Sequence, residues 1–431
     1  MSDTIFALAS ARGRAGVAVL RLSGPLAGTA LERLTGAKGT ARMARLALLR
    51  DPDGGDVVDR ALCLWFPGPA SFTGEDVAEF HLHGGRAVIN RVSDLLLAQG
   101  LRPAGPGEFT RRAFEAGKLD LSQAEAVADL VDAETEAQRR QALRQLDGAM
   151  GRLYEDWRDR LKVLLARLEA LIDFPDEGLD DAIENRVLHE VEVLRAEIAR
   201  HLADGRRGER LREGFEIAIT GAPNVGKSSL LNRLSASEAA IVSEIPGTTR
   251  DVIEVGLDLG GYRVVLIDTA GLRETDDPIE REGVRRARAR AEAADLRLHV
   301  VNPGDGLPRL EGGTATLLVL NKCDLGPGPA DAIAVSARTG QGIDTLMDRI
   351  AALVAARLAP AEMPAITRAR HRLAVKEAVG ALDRALDSLP LPAELRAEDL
   401  RLALRALGRV VGAVDVEDLL DVIFFEFCIG K

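Results

Sequence analysis

Eight residues, Gly221-Ala222-Pro223-Asn224-Val225-Gly226-Lys227-Ser228, constrain this chain more than any other stretch. They follow the apolar run Phe215 to Thr220 and lead into Ser229-Leu230-Leu231. Strand, glycine-bearing loop and helix thus come in the order a phosphate-binding loop requires. Glycines let successive backbone N–H groups curl around phosphate oxygens, and the helix N-terminus adds positive field. Asn224, Val225, Gly226, Lys227, Ser228 and Ser229 are therefore expected at a nucleotide, with Lys227 on the β- and γ-phosphates and the Ser228 hydroxyl on magnesium.

Three further motifs follow in the order a GTPase needs. Thr249, in Gly247-Thr248-Thr249-Arg250-Asp251, offers magnesium a second hydroxyl. Asp268-Thr269-Ala270-Gly271 closes the apolar run Val264 to Ile267, placing Asp268 toward magnesium through water and the Gly271 amide toward the γ-phosphate. Asn321-Lys322-Cys323-Asp324 closes the run Thr316 to Leu320, and Ser336-Ala337 completes the base pocket. Asp324 can accept two hydrogen bonds from guanine N–H groups that adenine lacks, so GTP is the expected nucleotide. Leu272 stands after Gly271, so the glutamine that orients water in Ras-type enzymes is missing. Glu274, Asp276, Asp277 and Glu280 are acidic substitutes among which the residues alone do not choose.

The chain's 431 residues are enough for about three domains. Residues 214–358 alternate strands and helices, the pattern of a doubly wound, mostly parallel sheet, except that Ile253 to Asp268 reads as an antiparallel hairpin turning at Gly260-Gly261. Residues 1–118 read as a mixed α+β domain with strands at Val17 to Leu22, Ala61 to Phe66 and Val77 to Leu82, and a helix at Ala87 to Ala98. Beyond Leu121, Ser122 and Glu125 read as a capping box. Leu153, Trp157, Leu161, Leu164, Leu168 and Leu171 then form one apolar helical stripe. Gly205 to Gly214 reads as a polar linker, and after Pro360 and Pro364 the pattern is helical from Thr367 to the last residue. The expected fold class is thus multidomain α/β and α, with a helical domain split into 119–213 and 359–431 by an inserted P-loop domain.

Composition narrows the function. Lys and Arg number 56 against 67 Asp and Glu, a net charge of −11, so bulk charge cannot hold nucleic acid and any grip must be local or come from a partner. Aromatic residues, at 3%, are too few for a base-stacking platform along a single strand. Cys63, Cys323 and Cys428 form neither a disulfide framework nor a metal spacing, which suits a reducing compartment. No apolar stretch reaches the roughly 18 residues of a membrane span, and the N-terminus lacks a secretory pattern, so a cytoplasmic protein with no membrane partner is expected.

Further matching stretches lie outside the nucleotide motifs: Ser71-Phe72-Thr73-Gly74-Glu75-Asp76, His83-Gly84-Gly85, Pro106-Gly107-Glu108-Phe109-Thr110, Lys118 to Ala126, Asp173-Phe174-Pro175 and the terminal Phe427-Cys428-Ile429-Gly430-Lys431. Along its whole length the chain resembles the MnmE (TrmE) family of tRNA-modification GTPases. The resemblance implies an N-terminal folate-binding and dimerisation domain, a discontinuous helical domain and an inserted Ras-like G domain. It also implies a homodimer that acts with the flavin-dependent partner MnmG on the fifth carbon of the wobble uridine of certain tRNAs. 5-formyl- or methylene-tetrahydrofolate would supply the one-carbon unit, and glycine or ammonium the amine.

The resemblance also implies roles for single residues. Glu280 becomes the catalytic glutamate, positioning the attacking water through a bridging water. Potassium replaces an arginine finger, held by the Asn224 side chain and by Ser243, Ile245 and Thr248 of the loop Ser243-Glu244-Ile245-Pro246-Gly247-Thr248-Thr249. Arg21, Glu79, Lys118 and Lys431 are implied folate ligands, and Cys428 is implied to reach the folate and take part in chemistry. By the residues alone, Cys428 at the end of the apolar run Val422 to Phe427 reads as packing. Glu79, His81 and His83 share one strand face, which also allows a metal trio. Two rival readings are a ribosome-assembly GTPase, against which the terminal motif speaks, and a nucleotide-controlled folate sensor.

Overall fold

The computed structural model describes residues 3–11, 13–173, 181–241, 254–268, 289, 292–306, 315–359, 363–387, 392–414, 417–425 and 427–430. The chain forms two compact units, one of residues 1–131, 145–191 and 380–431, the other of residues 132–144 and 192–379.

In the first unit, strands β1 (Ile5–Leu8), β2 (Ala15–Ser23), β3 (Arg45–Arg50), β4 (Val57–Phe66), β5 (Val77–Gly84) and β6 (Arg102–Pro103) form one sheet in the order β3-β4-β5-β2-β1-β6. Pairing is antiparallel except between β1 and β6. Leu20 and Leu22 of β2 and Ala78, Phe80 and Leu82 of β5 turn inward, into one apolar core with Leu31, Leu34, Val92 and Leu96 from the helices Ala27–Thr35 and Arg86–Ala98. Alternation then sends Arg21, Glu79 and His81 to the opposite face. The strand expectations hold for β2, β4 and β5. The two-residue β6 and the four-residue β1 are too short for periodicity to reveal.

Helices Ala149–Asp173 and Ala393–Val411 pack together, burying Trp157, Leu161, Leu164 and Leu168 as the stripe predicts. Tyr154, rather than Leu153, is the buried residue of the preceding turn. The helix Leu121–Val131 begins differently from expectation. Its box is Asp120 with Gln123: the Asp120 carboxylate accepts the Gln123 N–H at 2.8 Å, and the Gln123 side chain accepts the Asp120 N–H at 2.9 Å. Ser122 lies inside the helix and donates to Asp120 at 2.6 Å. A carboxylate three residues before an amide gives the same reciprocal closure as the serine–glutamate form.

In the second unit, β7 (Phe215–Gly221), β8 (Glu254–Leu259), β9 (Tyr262–Asp268), β10 (Leu296–Val301), β11 (Thr316–Leu320) and β12 (Ile333–Ala334) form a sheet in the order β12-β11-β10-β7-β9-β8. All neighbours are parallel except β8 and β9, which make the expected hairpin. Its turn, Gly260 at φ 64° and Gly261 at φ 87°, needs two left-handed residues, and glycine supplies them without strain. The core joins β7, β9, β10 and β11 to the helices Lys227–Ser235 and Ile343–Leu358.

Two expectations about the helical segments need correction. Residues 205–214 are not a plain linker, because Arg207–Glu213 is a helix with Gly208 and Glu209 buried. Arg372, on the helix Ala369–Ala385, binds Glu209 at 2.8 Å, Asp204 at 2.7 Å and the Leu202 carbonyl at 3.0 Å. That clamp fixes a segment whose composition looks solvated. Nor is the chain helical to its end. The helix Glu417–Phe425 stops, and beyond it Ile429 bridges to Pro106 in antiparallel fashion. Gly430, at φ 101°, lies so close to the Leu8 carbonyl that a Cβ would collide with it.

Candidate functional site

The sheet order places the nucleotide motifs together. β7 lies between β9 and β10, and β11 follows β10, so the carboxyl ends of β7, β9 and β11 open on one edge. In a doubly wound sheet that edge is where ligands bind.

The loop after β7 enters its helix through Gly226 at φ 96°, where a Cβ would strike the side-chain amide of Asn321. Glycine is required there for both reasons. Asn224 also adopts a left-handed conformation, φ 66°, and is exposed, while Val225 is buried. The Lys227 ammonium is buried and donates to the carbonyls of Gly221 at 3.0 Å and Ala222 at 2.9 Å. Ser228 Oγ donates to Asp268 Oδ2 at 2.8 Å. A hydroxyl and a nearly buried carboxylate side by side make an oxygen donor set of the kind a hard divalent cation takes. Ser229 is exposed on the next position.

The base-reading loop is tied to the phosphate loop. Asn321 donates to the Val225 carbonyl at 2.9 Å and accepts the Ala337 N–H at 3.1 Å. Lys322, left-handed at φ 58°, donates to the Asn224 carbonyl at 3.0 Å. Asp324 accepts hydrogen bonds from the Ser336 hydroxyl and from Arg338, and these hold its carboxyl below the usual carboxylate range. His299 stands under the loop, 3.2 Å from the Thr220 hydroxyl, and burial together with the Lys227 charge lowers its pKa. Neither Arg338 nor His299 was picked out from the sequence. Arg338 follows Ser336-Ala337 by one residue, which was the available signal.

Three of the four motifs therefore converge among the described residues: the phosphate loop, Asp268, and Asn321 to Asp324 with Ser336-Ala337. Ser243, Glu244, Ile245, Pro246, Gly247, Thr248, Thr249, Thr269, Ala270, Gly271 and Glu280 lie outside the described residues, as does Lys431.

In the first unit Arg21 and Glu79 are cross-strand partners joined at 2.9 Å. The Arg21 guanidinium lies 6.0 Å from the Phe72 ring centre and 5.9 Å from that of Phe109, within cation–π range. His81 approaches Glu79 at 3.3 Å, whereas His83 is taken by Asp59 at 2.7 Å. Among the described residues no cluster of three side chains could hold a metal ion. Lys118 is exposed beside the same loop as Phe72, its Cε 3.4 Å from where a side chain on Gly74 would begin. Cys428 is exposed rather than packed. Its carbonyl accepts the Gly107 N–H at 3.5 Å, while Gly430 meets Leu8, the partner of Leu20 and so a strand neighbour of Arg21.

Other matching stretches prove architectural. Arg112 binds Glu75 at 3.0 Å, Asp3 at 2.7 Å and Glu108 at 3.0 Å, and Glu75 accepts from Ser23 at 2.7 Å. Through Arg112 those acids tie the loop carrying Glu75 to the residues around Asp3 and Glu108.

Residues 4–118 match the model of the GTP-binding protein TrmE N-terminus, and residues 121–428 match that of the MnmE helical domain. The chain belongs to the MnmE family. Proteins named tRNA modification GTPase MnmE from Parvibaculum lavamentivorans and Paramagnetospirillum magneticum are 59% and 57% identical to it, each alignment covering 100% of both chains. The relative of that name from Rhodospirillum rubrum is 57% identical over 100% of this chain and 99% of its own. MnmE membership accounts for the G motifs and the flanking segments together. Among the described residues no helix is long and apolar enough to cross a membrane.

Proposed function

We propose that this chain is a potassium-activated GTPase. As a homodimer with the flavoprotein MnmG, it installs a (carboxymethyl)aminomethyl-type group on the fifth carbon of the wobble uridine of certain tRNAs, from a tetrahydrofolate one-carbon donor. The observation that carries the GTPase reading is the pair of links Ser228–Asp268 and Asn321–Val225, which bring three separate motifs to one sheet edge. Family membership carries the tRNA reading.

Lys227 and the loop amides bind the β- and γ-phosphates, and Asp324 with Ser336 and Ala337 selects guanine. Ser228, Thr249 and, through water, Asp268 would hold magnesium, which offsets charge on the phosphate oxygens. Asn224 with Ser243, Ile245 and Thr248 would hold potassium, which offsets transition-state charge without a partner's arginine. Glu280 orients the attacking water. Loops ordered by the γ-phosphate bring two G domains together, and hydrolysis releases them.

Arg21, Glu79, Lys118 and Lys431 are the proposed folate ligands. The partly buried Arg21–Glu79 pair beside Phe72 supports this, since a flat heterocycle suits one aromatic face and a forked donor. Cys428, exposed and close in chain to the Gly430–Leu8 contact, is the proposed residue of the modification chemistry. Dimerisation finds support at the β3–β4 edge, where the cross-strand partners Leu46 and Leu62 both face solvent, at 66% and 38% exposed.

The test is GTP turnover in potassium and in sodium at equal ionic strength. Turnover should be much faster in potassium, and Asn224→Ala should erase the difference. Glu280→Ala should lower turnover at nearly unchanged GTP affinity. Equal rates in both salts would remove potassium and the role of Asn224 from the reading.

A further inference from the structure

The Asp324 carboxylate that is to read guanine already has a cationic partner. Arg338 Nη2 donates to Asp324 Oδ2 at 2.6 Å. Ser336 Oγ accepts the Thr339 N–H at 3.2 Å, and its hydroxyl is the second donor on that carboxylate. Guanine presents N1–H and the N2 amino group around C2, a fragment that is itself a guanidine. An arginine side chain offers the same planar array of N–H donors, positively charged. We propose that Arg338 is an intramolecular mimic of the guanine edge, competing with the base for Asp324 and so setting the affinity for guanine nucleotides. The inference rests on the guanine-site reading above.

The sign follows from competition. Base binding must first take the carboxylate from Arg338, so part of the contact energy replaces an interaction already made. Arg338 is largely in solvent, and an exposed ion pair of this kind corresponds to a factor of about two to five. The factor should appear in association rather than dissociation, because the competing contact exists only before guanine is seated. It should also shrink with salt, as exposed pairs do. Ser336 stays on Asp324 in either case and keeps the carboxylate aimed.

The experiment is a titration of the full chain with fluorescent GDP, comparing wild type with Arg338→Ala. The variant should bind about two- to fivefold tighter, with faster association, unchanged dissociation and a smaller salt dependence. A second pair of variants isolates the partner. Asp324→Asn removes the charge and lets the amide face the C2 carbonyl of xanthine, so that variant should prefer xanthosine diphosphate. Adding Arg338→Ala to it should then change nothing. Unchanged or weaker GDP binding by Arg338→Ala overturns the inference, as does an equal effect in the Asp324→Asn background. Failure of Asp324→Asn to move preference from GDP to xanthosine diphosphate would instead overturn the guanine-site reading itself.

Discussion

The side-chain amide of Asn321 donates to the backbone carbonyl of Val225 across 2.9 Å, so the loop that reads the base also fixes the loop that faces the phosphates. The same side chain accepts the Ala337 N–H, and Asn321 is only 1% exposed. One residue thereby sets the relative position of three segments distant in sequence.

Replacing Asn321 by Ala strands a buried carbonyl and a backbone N–H, a loss of about 1–3 kcal/mol for each unpaired group. GDP affinity should fall at least about tenfold, with a lower thermal midpoint. Isothermal titration and thermal unfolding check this. Unchanged affinity would mean that the two loops hold their positions without the link.

Ser228→Ala should behave differently. The hydroxyl meets Asp268 at 2.8 Å and belongs to no core, so the fold should be nearly indifferent to its loss. Turnover at saturating GTP and magnesium should drop about a hundredfold, the scale of losing one aligned ligand to transition-state charge. A steady-state phosphate-release assay decides it. Near-normal turnover would take Ser228 out of the site.

The pH dependence of stability should carry the mark of His201. Burial above all keeps it neutral, its pKa pushed down to about 4 from 6.5. Between those values the unfolded chain holds more protons than the folded one, so stability is full above about pH 6.5 and is lost as pH falls toward 4. The loss across that window is about 3 kcal/mol. His201→Gln, uncharged throughout, should flatten the curve between pH 7 and 5, as chemical unfolding at the two values would show. An unaltered slope would place the sensitivity elsewhere.

In the N-terminal sheet, Arg21→Ala removes the partner of Glu79 and the cation between Phe72 and Phe109. Binding of 5-formyltetrahydrofolate, followed by its absorbance or by intrinsic fluorescence, should weaken by about tenfold or more, a loss typical of a charged contact. GDP binding should be unaffected. A variant that keeps full folate affinity would move the site away from this sheet face.

Much of this was legible in the residues, and what was not has identifiable physical causes. The G motifs could be read because phosphate and guanine recognition needs fixed spacings next to strands, and the hairpin because Gly260-Gly261 has one structural use at a strand turn. Glu209 and Arg372 could not be paired from sequence, since 163 positions separate them and each looks like a solvated charge. The box at Asp120 was hidden by a second plausible box two residues later, and only the observed hydrogen bonds distinguish them. The terminal strand-like segment was masked by the apolar helix before it. Its departure depends on a tertiary contact, Gly430 on Leu8, that no local pattern encodes.

The most direct test of the account is mass spectrometry of tRNA nucleosides from cells carrying the wild-type gene, a deletion, or the deletion complemented by Ser228→Ala or Cys428→Ser. The account predicts that the modified wobble uridine disappears on deletion, returns with the wild-type chain, and fails to return with either variant. A deletion strain with no redundant enzyme and an unchanged nucleoside profile would contradict it.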